Sequence, residues 1–112
     1  MYKDVTYYNR SDKERNPRIL EANVNGVRFS IHKHIYYGDQ WLFTCIKFGI
    51  QRERLYTTDM EVAKEKGAER LRELLNKEME EIQKALEQLE EYSEQESEEK
   101  SYAGKIQDGK GN

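Results

Sequence analysis

Arg18-Ile19-Leu20-Glu21-Ala22-Asn23-Val24-Asn25-Gly26-Val27-Arg28-Phe29-Ser30-Ile31-His32 is the stretch on which the fold turns. Its centre, Asn25-Gly26, is the strongest short hairpin signal, because a type I′ turn needs positive φ at both central residues. Apolar and β-branched residues alternate on either side, so the spacing predicts strands over about 18–24 and 27–37. Working outward, Gly38-Asp39-Gln40 separates the second strand from another over 41–48, and Gly49-Ile50-Gln51 leads into a fourth over 52–57. Loops of two or three residues cannot make parallel crossovers, so these strands form an antiparallel meander. The first eight residues, with Val5, Thr6, Tyr7 and Tyr8, are a candidate edge strand. Asn9–Pro17 is charged, holds the only Pro and reads as a loop.

Downstream of the last strand, Thr58-Asp59-Met60-Glu61 reads as a capping box with Thr58 as the cap. It opens a helix over about 59–92 in which Gly67 is the only Gly and Pro is absent. Met79, Ile82, Leu86 and Leu89 recur at heptad spacing. The class is therefore α+β, an antiparallel meander of three to five strands followed by one long C-terminal helix. Residues 1–92 are expected as a single sheet-plus-helix domain and 93–112 as a disordered acidic, Gly-containing tail. A helix of about 34 residues spans about 50 Å, whereas a seven-residue strand is only about 23 Å long. The Met79–Leu89 stripe then has no partner within the chain, and a second copy would cover it. The alternative is a break near Asn76 that folds the second half back.

Composition narrows the function classes. The chain has 112 residues, 36% of them apolar and 37% charged, with a mean hydropathy of -1.09. That length fits one domain. No run approaches the roughly 18 apolar residues of a membrane helix, and no apolar stretch follows the N-terminus as in a signal peptide. The single Cys45 forms no internal disulfide, so the expected setting is reducing and cytoplasmic. Residues 1–58 hold ten Lys or Arg against six Asp or Glu, and residues 59–112 hold nine against sixteen. A basic, aromatic half is thus joined to an acidic, helical half.

The strand order, Trp41 at a strand start and the junction Tyr56-Thr57-Thr58-Asp59-Met60-Glu61-Val62-Ala63 together resemble a known arrangement. Over about residues 27–75 the chain is similar to the AP2-like, arm-type DNA-binding domains of phage and mobile-element tyrosine integrases. The resemblance implies three antiparallel strands and a helix, with the sheet face away from the helix entering the major groove. On this sequence that face would carry Arg28, Ser30, His32, His34 and Tyr36, with Val27, Phe29, Ile31 and Ile35 turned to the helix. Two features oppose it. The strand at 41–48 is apolar on both faces, and alternation from an inward Tyr56 turns Gln51, Glu53 and Leu55 outward. A bulge at Gly49 would restore the phase.

No catalytic constellation stands out. His32-x-His34 sets two imidazoles on one strand face, but zinc needs three or four ligands, and alternation puts Cys45 on the other side. There is no Gly-rich phosphate loop, and the helix Glu residues sit beside Lys as salt-bridge partners. Neither a metal nor a cofactor is expected, nor enzyme activity. Two binding readings remain. In one, a small dimeric DNA-binding protein of phage or mobile-element type contacts duplex DNA through Arg28, His32, His34, Lys47, Arg52 and Arg54, and dimerises through Met79, Ile82, Leu86 and Leu89. In the other, the apolar strand and acidic helix engage a host protein, as an anti-defence inhibitor, nuclease inhibitor or adaptor.

Overall fold

The computed structural model describes the backbone of residues 1–106 and the side chains through Gln95. Five strands, β1 (Tyr2–Asp4), β2 (Ile19–Val24), β3 (Val27–His32), β4 (Leu42–Cys45) and β5 (Ile50–Arg54), precede one helix, α1 (Met60–Ile106). They form a single antiparallel sheet in the order β1-β2-β3-β4-β5, the expected meander at its five-strand limit. The edge strand is Tyr2–Asp4, ahead of the Val5–Tyr8 segment. The residues fall into two units, Met1–Leu74 and the chain from Leu75 onward.

Asn25 and Gly26 take positive φ, 51° and 88°, so the I′ turn forms as the dipeptide requires. Pairing Val24 with Val27 and Ala22 with Phe29 then fixes which side chains share a face. One face carries Leu20, Ala22, Phe29, Ile31 and Phe43, all buried. Against it lies the first part of α1, with Ala63, Gly67 and Leu71 buried. Tyr2 from the edge strand joins this layer. Its ring meets Phe29 edge-on at 5.6 Å, and its hydroxyl donates to the Lys64 carbonyl at 2.6 Å. Trp41, 1% exposed, ties the end of the sheet to the helix entry. Its backbone N–H donates to Thr57 O, its indole N–H to Thr58 O, and its carbonyl accepts from Leu55 N–H.

Several boundaries differ from the sequence reading. The strand expected over 27–37 ends at His32 because His34 caps a 3-10 turn, Ile35–Tyr37, by accepting from Tyr36 N–H. Ile35 is consequently exposed rather than turned to the helix. The strand expected over 41–48 covers Leu42–Cys45 and passes into a second 3-10 turn, Ile46–Phe48, closed by a left-handed Gly49. β5 begins at Ile50 and ends at Arg54, and Tyr56, expected inward, is 76% exposed with φ 57°.

The helix cap is Asp59, not Thr58. Its carboxylate accepts from Val62 N–H at 2.9 Å, its carbonyl accepts from Ala63 N–H, and Thr57 Oγ1 receives its own N–H. An Asp side chain at this position satisfies an orphan donor at the positive end of the helix dipole. Helical backbone runs unbroken through Asn76 and past the expected end at Tyr92. The rest of the expected tail, residues 107–112, lies outside the described residues.

Candidate nucleic-acid interface

The sheet face opposite α1 is set by register. Lys3 pairs with Glu21, Glu21 with Ser30, Asn23 with Arg28, Ser30 with Thr44, and His32 with Leu42, which in turn pairs with Arg54. The outward strand positions therefore include Lys3, Arg28, Ser30, His32, Thr44 and Arg54, and Glu21 is their one carboxylate.

A bulge decides the fate of β5. Phe43 pairs with Glu53, but Cys45 pairs with Ile50, so Gln51 and Arg52 together oppose Thr44. The extra residue is accommodated by Arg52 at φ 53°, a left-handed conformation that costs a non-glycine residue about 1 kcal/mol or more. Thr44 holds it there, its hydroxyl accepting from Arg52 N–H at 3.0 Å. Downstream of the bulge, Glu53 and Leu55 turn toward the helix instead of outward. Glu53 receives the Arg70 guanidinium at 2.9 Å, and Leu55 is buried. Arg54 turns outward, its guanidinium 5.3 Å from the Tyr37 ring centre. The phase repair that a bulge at Gly49 would have given is thus made at Arg52.

Thr44 also meets His32, whose Nε2 lies 2.8 Å from Thr44 Oγ1. Donors and acceptors balance when Arg52 N–H donates to Thr44, the Thr44 hydroxyl donates to Nε2, and Nδ1–H faces Lys33 O at 3.4 Å. That chain needs a neutral imidazole. Burial, aided by the charges of Arg52 and His34, pushes the His32 pKa below its ordinary value in the same direction. His32 is therefore a hydrogen-bonding, positioning residue at neutral pH rather than a cation.

Arg28, Ser30 and Thr44 line one open groove of about 340 Å³ with Glu21, Ile46 and Lys47. Arg28, Lys47, Arg52 and Arg54 are all exposed. His34 departs from the expected set. It sits in the 3-10 turn, its ring 5.2 Å from Tyr36 and 5.8 Å from Tyr37, and does not extend the His32 strand face. The strand expected over 41–48 is also less apolar on its outer face than its sequence suggests. Leu42 is fully buried, Thr44 is polar, and Ile46 and Phe48 belong to the turn beyond.

Cys45 is fully buried, its thiol donating to Arg28 O at 3.3 Å. No group of three His, Cys, Asp or Glu side chains is placed to hold a metal among the described residues, and no helix is long and apolar enough to cross a membrane. Sequence reasoning missed Thr44, which joins three strands. Its outward alternation was visible, but the left-handed residue that makes it a junction was not. In the second unit, Met79, Ile82, Leu86 and Leu89 are 60%, 52%, 57% and 61% exposed on the helix. No family model, curated protein or solved structure matches the chain.

Proposed function

We propose that the chain is a non-catalytic DNA-binding protein that holds duplex DNA on the outer sheet face and pairs with a second copy through Met79, Ile82, Leu86 and Leu89. The observation that carries this reading is the bulge at Arg52. It sets Arg52 and Arg54 on the side that bears Arg28, with Lys47 lining one groove with Arg28, and Glu21 is the one carboxylate among the outward strand positions. Guanidinium groups presented on a sheet surface suit phosphate contact and bidentate contact with guanine, and a β-ribbon fits the major groove. The likeness to AP2-like arm domains gives the same orientation, sheet toward DNA and helix behind. It would place the protein with phage or mobile-element functions.

Binding of a random duplex should be micromolar at low salt and weaken linearly on a log–log plot, by about 0.9 in slope per phosphate neutralised. Arg28→Ala and Arg54→Ala should each reduce that slope by about 1, whereas His32→Asn should leave it unchanged at pH 7.5, because His32 brings no charge. Absence of binding at low salt from a folded, well-behaved sample would overturn the proposal. A host-protein partner for the acidic helix would then be sought.

A further inference from the structure

The 3-10 turn beside Arg54 carries one feature that phosphate contact does not use. Ile35 and Tyr36 are 87% and 86% exposed, the two most exposed large apolar residues among those described. They are adjacent, and the turn that presents them is held from several directions. His34 Nδ1 accepts from Tyr36 N–H at 3.2 Å, and Tyr37 N–H donates to His34 O at 2.8 Å. The His34 ring lies 5.2 Å from the Tyr36 ring at an interplanar angle of 35°. The Arg54 guanidinium lies over the Tyr37 ring, 5.3 Å from its centre.

Single exposed apolar residues are ordinary. A pre-ordered pair is different, because its ordering entropy is already spent before a partner arrives. The surroundings specify the partner's charge. Arg54 lies against the turn through Tyr37, Lys33 precedes it in sequence, and Asp39 is the only acid between His32 and Leu42. An apolar and aromatic prominence beside cations fits a polyanion that also offers flat apolar faces. Nucleic-acid bases are such faces once they leave the stack.

We infer that Ile35 and Tyr36 contact base faces, so that the chain favours DNA with an unpaired base over perfectly paired duplex. The inference rests on the DNA-binding reading and names the substrate class for it. A paired duplex must be unstacked before it presents a base face, whereas a bulged base is already free.

The test compares two otherwise identical duplexes, one fully paired and one with a single bulged 2-aminopurine, bound by the full chain at low salt. The bulged duplex should bind about 5- to 10-fold more tightly, with its fluorescence quenched as Tyr36 stacks on it. Ile35→Ala with Tyr36→Ala should remove that preference and the quenching while leaving the salt dependence intact. Both side chains are exposed, so the double variant should keep the wild-type circular dichroism. Equal binding of the two duplexes, or a preference that survives the double variant, overturns this inference alone. Loss of self-association in the double variant overturns it in favour of a second copy covering the turn. Failure to bind either duplex overturns the DNA-binding reading itself.

Discussion

Tyr2 shows how one side chain makes an edge strand depend on pH. Its hydroxyl is half-buried against the helix and donates to the Lys64 carbonyl, and burial pushes its pKa up from 10.0 to about 12. The folded state thus holds the proton more tightly than the unfolded chain does. The stability this contributes is complete below pH 10 and is lost as pH rises from 10 to about 12. Chemical denaturation across that window should show wild type losing stability more steeply than Tyr2→Phe, which keeps the ring against Phe29 and has no proton to release. Tyr8, raised by its hydrogen bond to Asp4, titrates in both proteins and drops out of the difference. Parallel curves would mean that the Tyr2 hydroxyl is free in solution. Nothing in the sequence marks Tyr2 for this role, since its partner lies 62 residues away. Arg52 was equally hidden. Arginine is no turn residue, and its left-handed φ follows from the Thr44 hydroxyl and the strand count opposite it.

Elements were legible where the signal was local and lost where a distant partner redirected the chain. Asn25-Gly26 and the meander follow from turn chemistry, and the helix follows from periodicity. By contrast, His34 ends β3 because its ring caps the following turn, and Asp59 outcompetes Thr58 for the helix cap because Thr57 and Trp41 fix the approach. The meeting of helix and sheet rests on Gly67. A Cβ there would lie 2.7 Å from Ile31 Cγ2 and 3.0 Å from the Tyr2 hydroxyl. In an exposed helix Gly→Ala stabilises by about 1 kcal/mol, but overpacking a core site costs about 1–3 kcal/mol. The clash is with a fully buried Ile31, which has little room to yield. Gly67→Ala should therefore lower stability by up to about 2 kcal/mol in urea denaturation, the packing cost exceeding the propensity gain. A rise in the midpoint would show that the helix sits farther from the sheet.

At the scale of the whole molecule, salt acts on the two proposed surfaces with opposite sign. The sheet face is basic, so salt competes with DNA for it. Residues 75–95 hold seven Glu against two Lys, so two such helices brought together repel one another. Their seam of Met79, Ile82, Leu86 and Leu89 gains from apolar burial, which salt does not weaken, while screening relieves the repulsion. Self-association should therefore strengthen between about 50 mM and about 500 mM salt, over which the Debye length falls from about 14 Å to about 4 Å. DNA affinity should fall over the same interval. Light scattering and duplex binding in matched buffers measure both. Leu86→Glu separates the causes. Position 86 is 57% exposed, so the substitution should leave the helical signal unchanged yet keep the chain monomeric at every salt concentration. Wild type that stays monomeric throughout, or association that Leu86→Glu does not alter, would remove the seam from the mechanism. A chain that binds DNA as a monomer would then have to draw its affinity from the sheet face alone.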